Sequence, residues 1–240
     1  MAAILAATCV GMGKGGMPVV AMLSVPILSL FISPVTAAGL LLPVYVVSDM
    51  FGLWAYRRDF APRVLWIMVP AAAVGIGFGW LTASIVPERA VTALVGLIGA
   101  LFAVSLLLRK GGPPEARPAR IGPGLFWGAA AGFTSFVCHA GGPPWQIYVL
   151  PLRLSKIVFA GTTTIAFACI NAMKLLPYWA LGQLSPANLK IAVLLMAPAA
   201  AAVFLGLWLV RRLPEALFFR LVTWALLAVS LRLMWQAAAG

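Results

Sequence analysis

The chain has 240 residues, of which 63% are hydrophobic and only 9% charged, with a mean hydropathy of +1.05. A water-soluble domain carries roughly 25% charged residues because its surface must face water, so this composition excludes a soluble globular protein and places the chain in a bilayer. The formal charge of +12, from 17 Lys and Arg against 5 Asp and Glu, would point to nucleic acid in a soluble domain; here it marks cytoplasmic loops by the positive-inside rule, and no nucleic-acid partner is expected.

The apolar segments, in chain order, are 2–13, 17–32, 35–56, 63–85, 88–108, 121–138, 143–152, 156–181, 188–210 and 214–236. A spanning helix needs about 20 residues at 1.5 Å each. Segments 35–56, 63–85, 88–108, 156–181, 188–210 and 214–236 reach that length. The pairs 2–13 with 17–32, and 121–138 with 143–152, are too short and are broken by Gly13-Lys14-Gly15-Gly16-Met17-Pro18 and by Cys138-His139-Ala140-Gly141-Gly142-Pro143-Pro144. Glycine and proline runs of this kind interrupt a helix. The apolar start, lacking a basic region before it, predicts no signal peptide. Cys9, Cys138 and Cys169 lie in apolar stretches without C-x-x-C spacing, so neither a disulfide framework nor a cysteine metal site is expected.

Residues 109–120 form a polar cytoplasmic linker between a first repeat, 1–108, and a second, 121–240. The first holds a hairpin over 2–32 and helices 35–56, 63–85 and 88–108. The second holds a hairpin over 121–152 and helices 156–181, 188–210 and 214–236. The halves align as an ordered series. Gly15-Gly16 matches Gly141-Gly142 at an offset of 126, and Asp49 matches Asn171 and Tyr56 matches Tyr178 at 122. Pro70 matches Pro198 at 128, and Pro87-Glu88 matches Pro214-Glu215 at 127.

Charge selects the topology. If each broken pair crosses once, the loop cations divide eight against six. If each pair enters and returns on one side, the inner face gathers Arg57, Arg58, Arg63, Arg109, Lys110, Arg117, Arg120, Arg153, Lys156, Arg211, Arg212 and Arg220, and the outer face holds Arg89 and Lys190. Twelve against two is the distribution the rule expects. Each half then has one re-entrant hairpin and three crossings. The fold class is an all-α integral membrane protein built as an inverted repeat, the signature of a secondary transporter.

Helix starts at Met17 and Pro143 would aim backbone N–H groups at the hairpin tips and favour an anion. Lys14 adds a positive charge at the first tip, between glycines that permit close backbone approach; the plainer reading is a structural pair or snorkelling. His139 stands at the second tip, where it can bind an anion, carry a proton or simply be a satisfied structural histidine. Gln146, one turn on, lines a cavity or bonds a neighbouring helix. Asp49 and Asn171 are repeat partners inside apolar helices, and Asp49 either pairs with a lysine or titrates as a coupling group. Thr164, Asn171 and Lys174 share one helix face, though Lys174 is near enough to an end to snorkel. The substrate-binding candidates are therefore Lys14, Gly15, Gly16, His139, Gly141, Gly142, Gln146 and Asn171, with Asp49 and Lys174 for coupling or gating. Trp54, Tyr56, Trp66, Tyr178 and Trp179 read as interfacial belts. Runs such as Ala71-Ala72-Ala73 and Ala199-Ala200-Ala201-Ala202 read as close helix packing. No catalytic residue, metal ligand or cofactor is assigned.

Gly13-Lys14-Gly15-Gly16, Ser33-Pro34 with Ala37-Ala38-Gly39, Gly52-Leu53-Trp54-Ala55-Tyr56-Arg57 and Phe133-Thr134-Ser135-Phe136 leading into His139-Ala140-Gly141-Gly142-Pro143-Pro144 resemble the TauE/SafE family of sulfite and organosulfonate exporters. Asn171-Ala172 with Lys174, and Gly182-Gln183-Leu184, match it too. Cys138 departs from the small residue usual before the histidine. The resemblance implies a multi-pass permease of the bacterial inner membrane for a small sulfur-containing or carboxylate anion, driven by a proton or cation gradient, with a homodimer left open. A passive anion channel, a non-transporting membrane subunit and an intramembrane enzyme are the alternatives. The enzyme is disfavoured because Asp49 is the only carboxylate expected to be buried, and Ser135, the serine nearest His139, lacks a Gly-x-Ser-x-Gly context.

Overall fold

The computed structural model describes residues 1–240 apart from 22, 30, 33, 84, 109–114, 183, 185 and 240. Ser33, Gln183 and the first half of the 109–120 linker, all used in the sequence reading, lie outside the described residues. Among those described, regular structure is helical: α1 (Ala2–Lys14), α2 (Pro18–Ala21), α3 (Ser24–Ser29), α4 (Pro34–Tyr56), α5 (Pro62–Leu81), α6 (Glu88–Leu107), α7 (Ile121–Cys138), α8 (Gly142–Val149) with a 3-10 turn Leu150–Leu152, α9 (Lys156–Ala180), α10 (Pro186–Arg212) and α11 (Glu215–Ala239). Seven of these, α4, α5, α6, α7, α9, α10 and α11, are long and apolar enough to cross a membrane. The all-α membrane class expected from composition is what the chain adopts. α7, expected from the charge count to be a hairpin arm, is by length and composition one of these seven.

Both broken pairs fold back on themselves, α2 and α3 along α1, and α8 along α7. The segment expected as one arm over 17–32 is two short helices. Pro26 lies within α3, and a proline lacks the backbone N–H that a helix continuous with α2 would use. Pro43, Pro70, Pro177 and Pro198 sit inside the longer helices α4, α5, α9 and α10. Membrane helices tolerate this because neighbours and side chains satisfy the freed carbonyls.

The helices form two compact units, and each draws on both halves of the sequence. The first comprises Met1–Ala61 with Ile157–Leu213, and the second Pro62–Lys156 with Pro214–Gly240. In the first unit α1 lies along α10, and α4 packs on both. A Cβ on Gly11 would strike the Ala199 backbone, and one on Gly15 the Val203 and Gly206 backbones. Small residues at such a seam let two backbones approach, and packing holds membrane helices together where lipid supplies no hydrophobic drive. Beneath the seam Ala6, Ala7 and Val10 of α1 meet Leu40, Leu41 and Val44 of α4 and Ala192, Leu195 and Ala199 of α10 in one buried cluster.

The second unit repeats the device. α5 lies along α7, where a Cβ on Gly75 would strike the Ala129 backbone and one on Gly132 the Ala72 backbone. Of the two alanine runs, Ala71, Ala72, Ala199 and Ala202 are buried at these close contacts, while Ala73 and Ala201 are exposed. α6 packs on α11, and Arg89 donates to the Ala237 and Ala238 carbonyls at 2.5 and 3.3 Å. A cation on orphan carbonyls offsets the negative end of the helix dipole, so Arg89 caps α11.

Candidate functional site

The first unit contains a buried charged cluster at the end of α1. Lys14 is the last residue of that helix, and its Nζ lies 2.6 Å from Asp49 Oδ1 on α4. The other carboxylate oxygen, Oδ2, accepts from Asn171 Nδ2 on α9 at 3.0 Å. Lys174, one turn further along α9, is also buried, with its Nζ 5.9 Å from the Tyr178 ring centre. Lys14, Asp49, Asn171 and Lys174 are each at most 5% exposed. Neither lysine snorkels. Two lysines therefore accompany one carboxylate, and a charge in this setting is costly unless paired or functional.

The surroundings hold Lys14 in place. Its Nζ stands 5.2 Å from the Tyr45 ring centre, within cation–π range. Its carbonyl accepts from the Thr164 hydroxyl at 3.3 Å. Opposite it, a Cβ on Gly52 would crowd Thr164 and the Lys14 carbonyl. The Tyr45 hydroxyl meets the Ser24 hydroxyl and donates to the Ala21 carbonyl at 3.0 Å, tying the broken second arm to α4.

The glycine turn itself is closed. The Gly15 N–H donates to the Gly11 carbonyl at 2.9 Å, and Gly16 N–H to Gly13 at 3.2 Å. Gly16 has φ 106°, a conformation that needs glycine. The Gly15 carbonyl accepts from the Tyr56 hydroxyl at 2.8 Å. These amides thus serve the C-terminus of α1. The helix start expected at Met17 is a single turn, Pro18–Ala21, too short for a useful dipole.

The second unit holds the other candidates. α7 ends at Cys138, and His139 follows in the left-handed region with φ 53°, which histidine adopts more readily than most residues. The Ala140 N–H donates to the Thr134 carbonyl at 3.1 Å, completing the cap. Gly141 and Gly142 are buried. α8 opens on Gly142, with Pro143 and Pro144 next. Prolines lack the N–H, so this helix start offers fewer donors than the sequence reading supposed. Gln146 is buried, and its Oε1 has no hydrogen-bond partner. A buried orphan acceptor costs about 1–3 kcal/mol.

The family model for the sulfite exporter TauE/SafE matches residues 1–233. The chain belongs to the sulfite exporter TauE/SafE family. It is a multi-pass membrane transporter of the sulfite exporter type. Searches among curated proteins and among solved structures return no match.

Within this TauE/SafE protein the structure joins Lys14, Gly15 and Gly16 with Asp49, Asn171 and Lys174, and places His139, Gly141, Gly142 and Gln146 in the second unit. It corrects the aromatic assignment. Tyr56 and Tyr178 are 2% and 3% exposed and serve the cluster, whereas Trp54, Trp66 and Trp179 are exposed as a belt requires. A signal that separates them was in the sequence, since Tyr56 and Tyr178 align at the same offset of 122 as Asp49 and Asn171. Tyr45, Gly52 and the contact from Thr164 to Lys14 carried no comparable signal.

Proposed function

We propose that the chain carries a small oxyanion, sulfite or an organosulfonate, across the bacterial inner membrane by alternating access. The observation that carries this reading is the buried Lys14–Asp49–Asn171 cluster with Lys174 beside it. Lys14 holds a carboxylate oxygen 2.6 Å away, so the site already binds one oxyanion, supplied by the protein. Substrate competes with Asp49 for the ammonium. Protonation of Asp49 releases Lys14 and gives the proton a role in coupling, while Lys174 supplies the second positive charge. Asn171, freed from the carboxylate, orients the substrate by its amide. In the second unit, His139, Gly141, Gly142 and Gln146 bind the anion during the same cycle, with a flipped Gln146 amide presenting Nε2 donors.

Two observations support the inverted repeat. Asp49 hydrogen-bonds to its own repeat partner, Asn171, and such residues meet beside the axis relating the halves. The opening helix of each half also packs on the second long helix of the other, α1 on α10 and α7 on α5.

The test is sulfite flux in proteoliposomes. Wild-type flux is expected to saturate and to follow an imposed pH gradient. Lys14→Ala is expected to lose at least about 90% of it, with Lys14→Arg retaining a measurable part. Wild-type rates from Lys14→Ala remove the residue from the mechanism, and a rate that never saturates indicates a channel.

A further inference from the structure

A second basic site lies in the first unit, away from the buried cluster. Where α4 and α10 end, a cavity of about 560 Å³ is lined by Arg57, Arg58, Asp59, Arg211 and Arg212 and by the aromatic rings of Trp54, Phe204 and Trp208. Four guanidinium groups face one carboxylate. Arg57 Nη1 donates to the Trp54 carbonyl at 2.6 Å, and its guanidinium lies 5.0 Å from the Trp54 ring centre. Arg212 lies 5.4 Å from the Trp208 ring centre. Stacking on indole fixes the direction of a guanidinium and leaves edge N–H groups to bind an anion.

The apolar wall continues out of this cavity. Trp54 is 63% exposed, Trp208 and Phe204 are also exposed, and Phe51 packs edge-on against Phe204 with ring centres 6.0 Å apart. In a water-filled vestibule, three large exposed aromatic side chains would be costly; facing acyl chains they are at rest. The charge distribution assigns these arginines to the inner leaflet, where anionic lipids concentrate and basic pockets between membrane helices hold headgroups.

We propose that this cavity binds the phosphate of an anionic phospholipid of the inner leaflet, with its acyl chains along Phe204 and Trp208. The same charge would also suit a soluble phosphate ester, so the experiment separates the two.

Purified protein is incubated with dioleoyl phosphatidylglycerol, dioleoyl phosphatidylcholine or glycerol 1-phosphate, and retained molecules are counted by native mass spectrometry. Retention of phosphatidylglycerol at least about tenfold above phosphatidylcholine is expected. Arg58→Gln/Arg212→Gln should abolish that preference, and Arg220→Gln, an exposed arginine of α11, should keep it. Equal retention of the two lipids, or an unchanged preference in the double variant, overturns the proposal. Retention of glycerol 1-phosphate equal to that of phosphatidylglycerol also overturns it, in favour of a soluble-anion site. Should the double variant not fold, photoactivatable phosphatidylglycerol is crosslinked to the wild-type protein; adducts within 51–59 and 204–212 are expected, and adducts confined elsewhere contradict the assignment.

Discussion

Lys14 and Asp49 show how one pair of residues ties stability to transport. Removing one partner of a buried pair leaves the other charge unpaired, at a cost of about 3–5 kcal/mol. Asp49→Leu is therefore expected to lower the unfolding midpoint in detergent markedly. Lys14→Met/Asp49→Leu, which removes both charges, should recover most of that loss and still fail to transport. A double variant as unstable as the single would show that the pair is not the source of the cost. Asn171→Ala leaves one carboxylate oxygen without its donor, and hydrogen bonds to charged groups contribute about 1.5–3 kcal/mol; thermal unfolding should report a smaller loss than for Asp49→Leu. The polar residues of this cluster were legible in the sequence because ionisable groups are rare inside apolar helices. Which lysine meets the carboxylate was not legible. Lys14 lies 35 positions from Asp49 and Lys174 lies 125 away, and nothing in helical periodicity ranks contacts between separate helices.

At the scale of elements, the protein relies on glycine seams. Gly132 touches the Ala72 backbone, whereas nothing lies within 4 Å of where a Cβ on Gly77 would stand. Gly132→Val should push α7 off α5 and sharply reduce the yield of folded protein on size-exclusion chromatography. Gly77→Ala should leave yield unchanged and, by removing backbone freedom from a helix, hold or slightly raise the unfolding midpoint. If both variants behave alike, the seam is not set by backbone contact. The long helices and both glycine breaks were readable from hydropathy, but length did not separate α7 from a span and the split of 17–32 into α2 and α3 was not legible. The hairpin tips were only partly legible. The run Gly13-Lys14-Gly15-Gly16 announces a break, but whether its amides face a ligand or close the helix depends on φ at Gly16, and glycine permits either sign.

For the molecule as a whole, the interleaving of the two halves was hidden from the sequence. A repeat boundary at 109–120 suggests two units of consecutive helices, yet each compact unit takes α1 or α7 from one half and its packing partner from the other. Matching segments of the two halves by sequence does not say whether a helix packs within its own half or across to the other. The charge asymmetry gives a separate whole-molecule prediction. Cysteines placed at Arg117 and at Lys190 should react with membrane-impermeant maleimide from opposite sides of oriented vesicles, and labelling from the same side would contradict the topology. In the proposed mechanism Asp49 occupies Lys14 as a built-in competitor of the transported anion. The most direct measurement is the sulfite affinity of folded Asp49→Asn protein against wild type at fixed pH. Loss of the competing negative charge should tighten sulfite binding at least about tenfold, a difference of about 1.4 kcal/mol. Unchanged or weaker binding would show that Asp49 does not compete with the anion for Lys14.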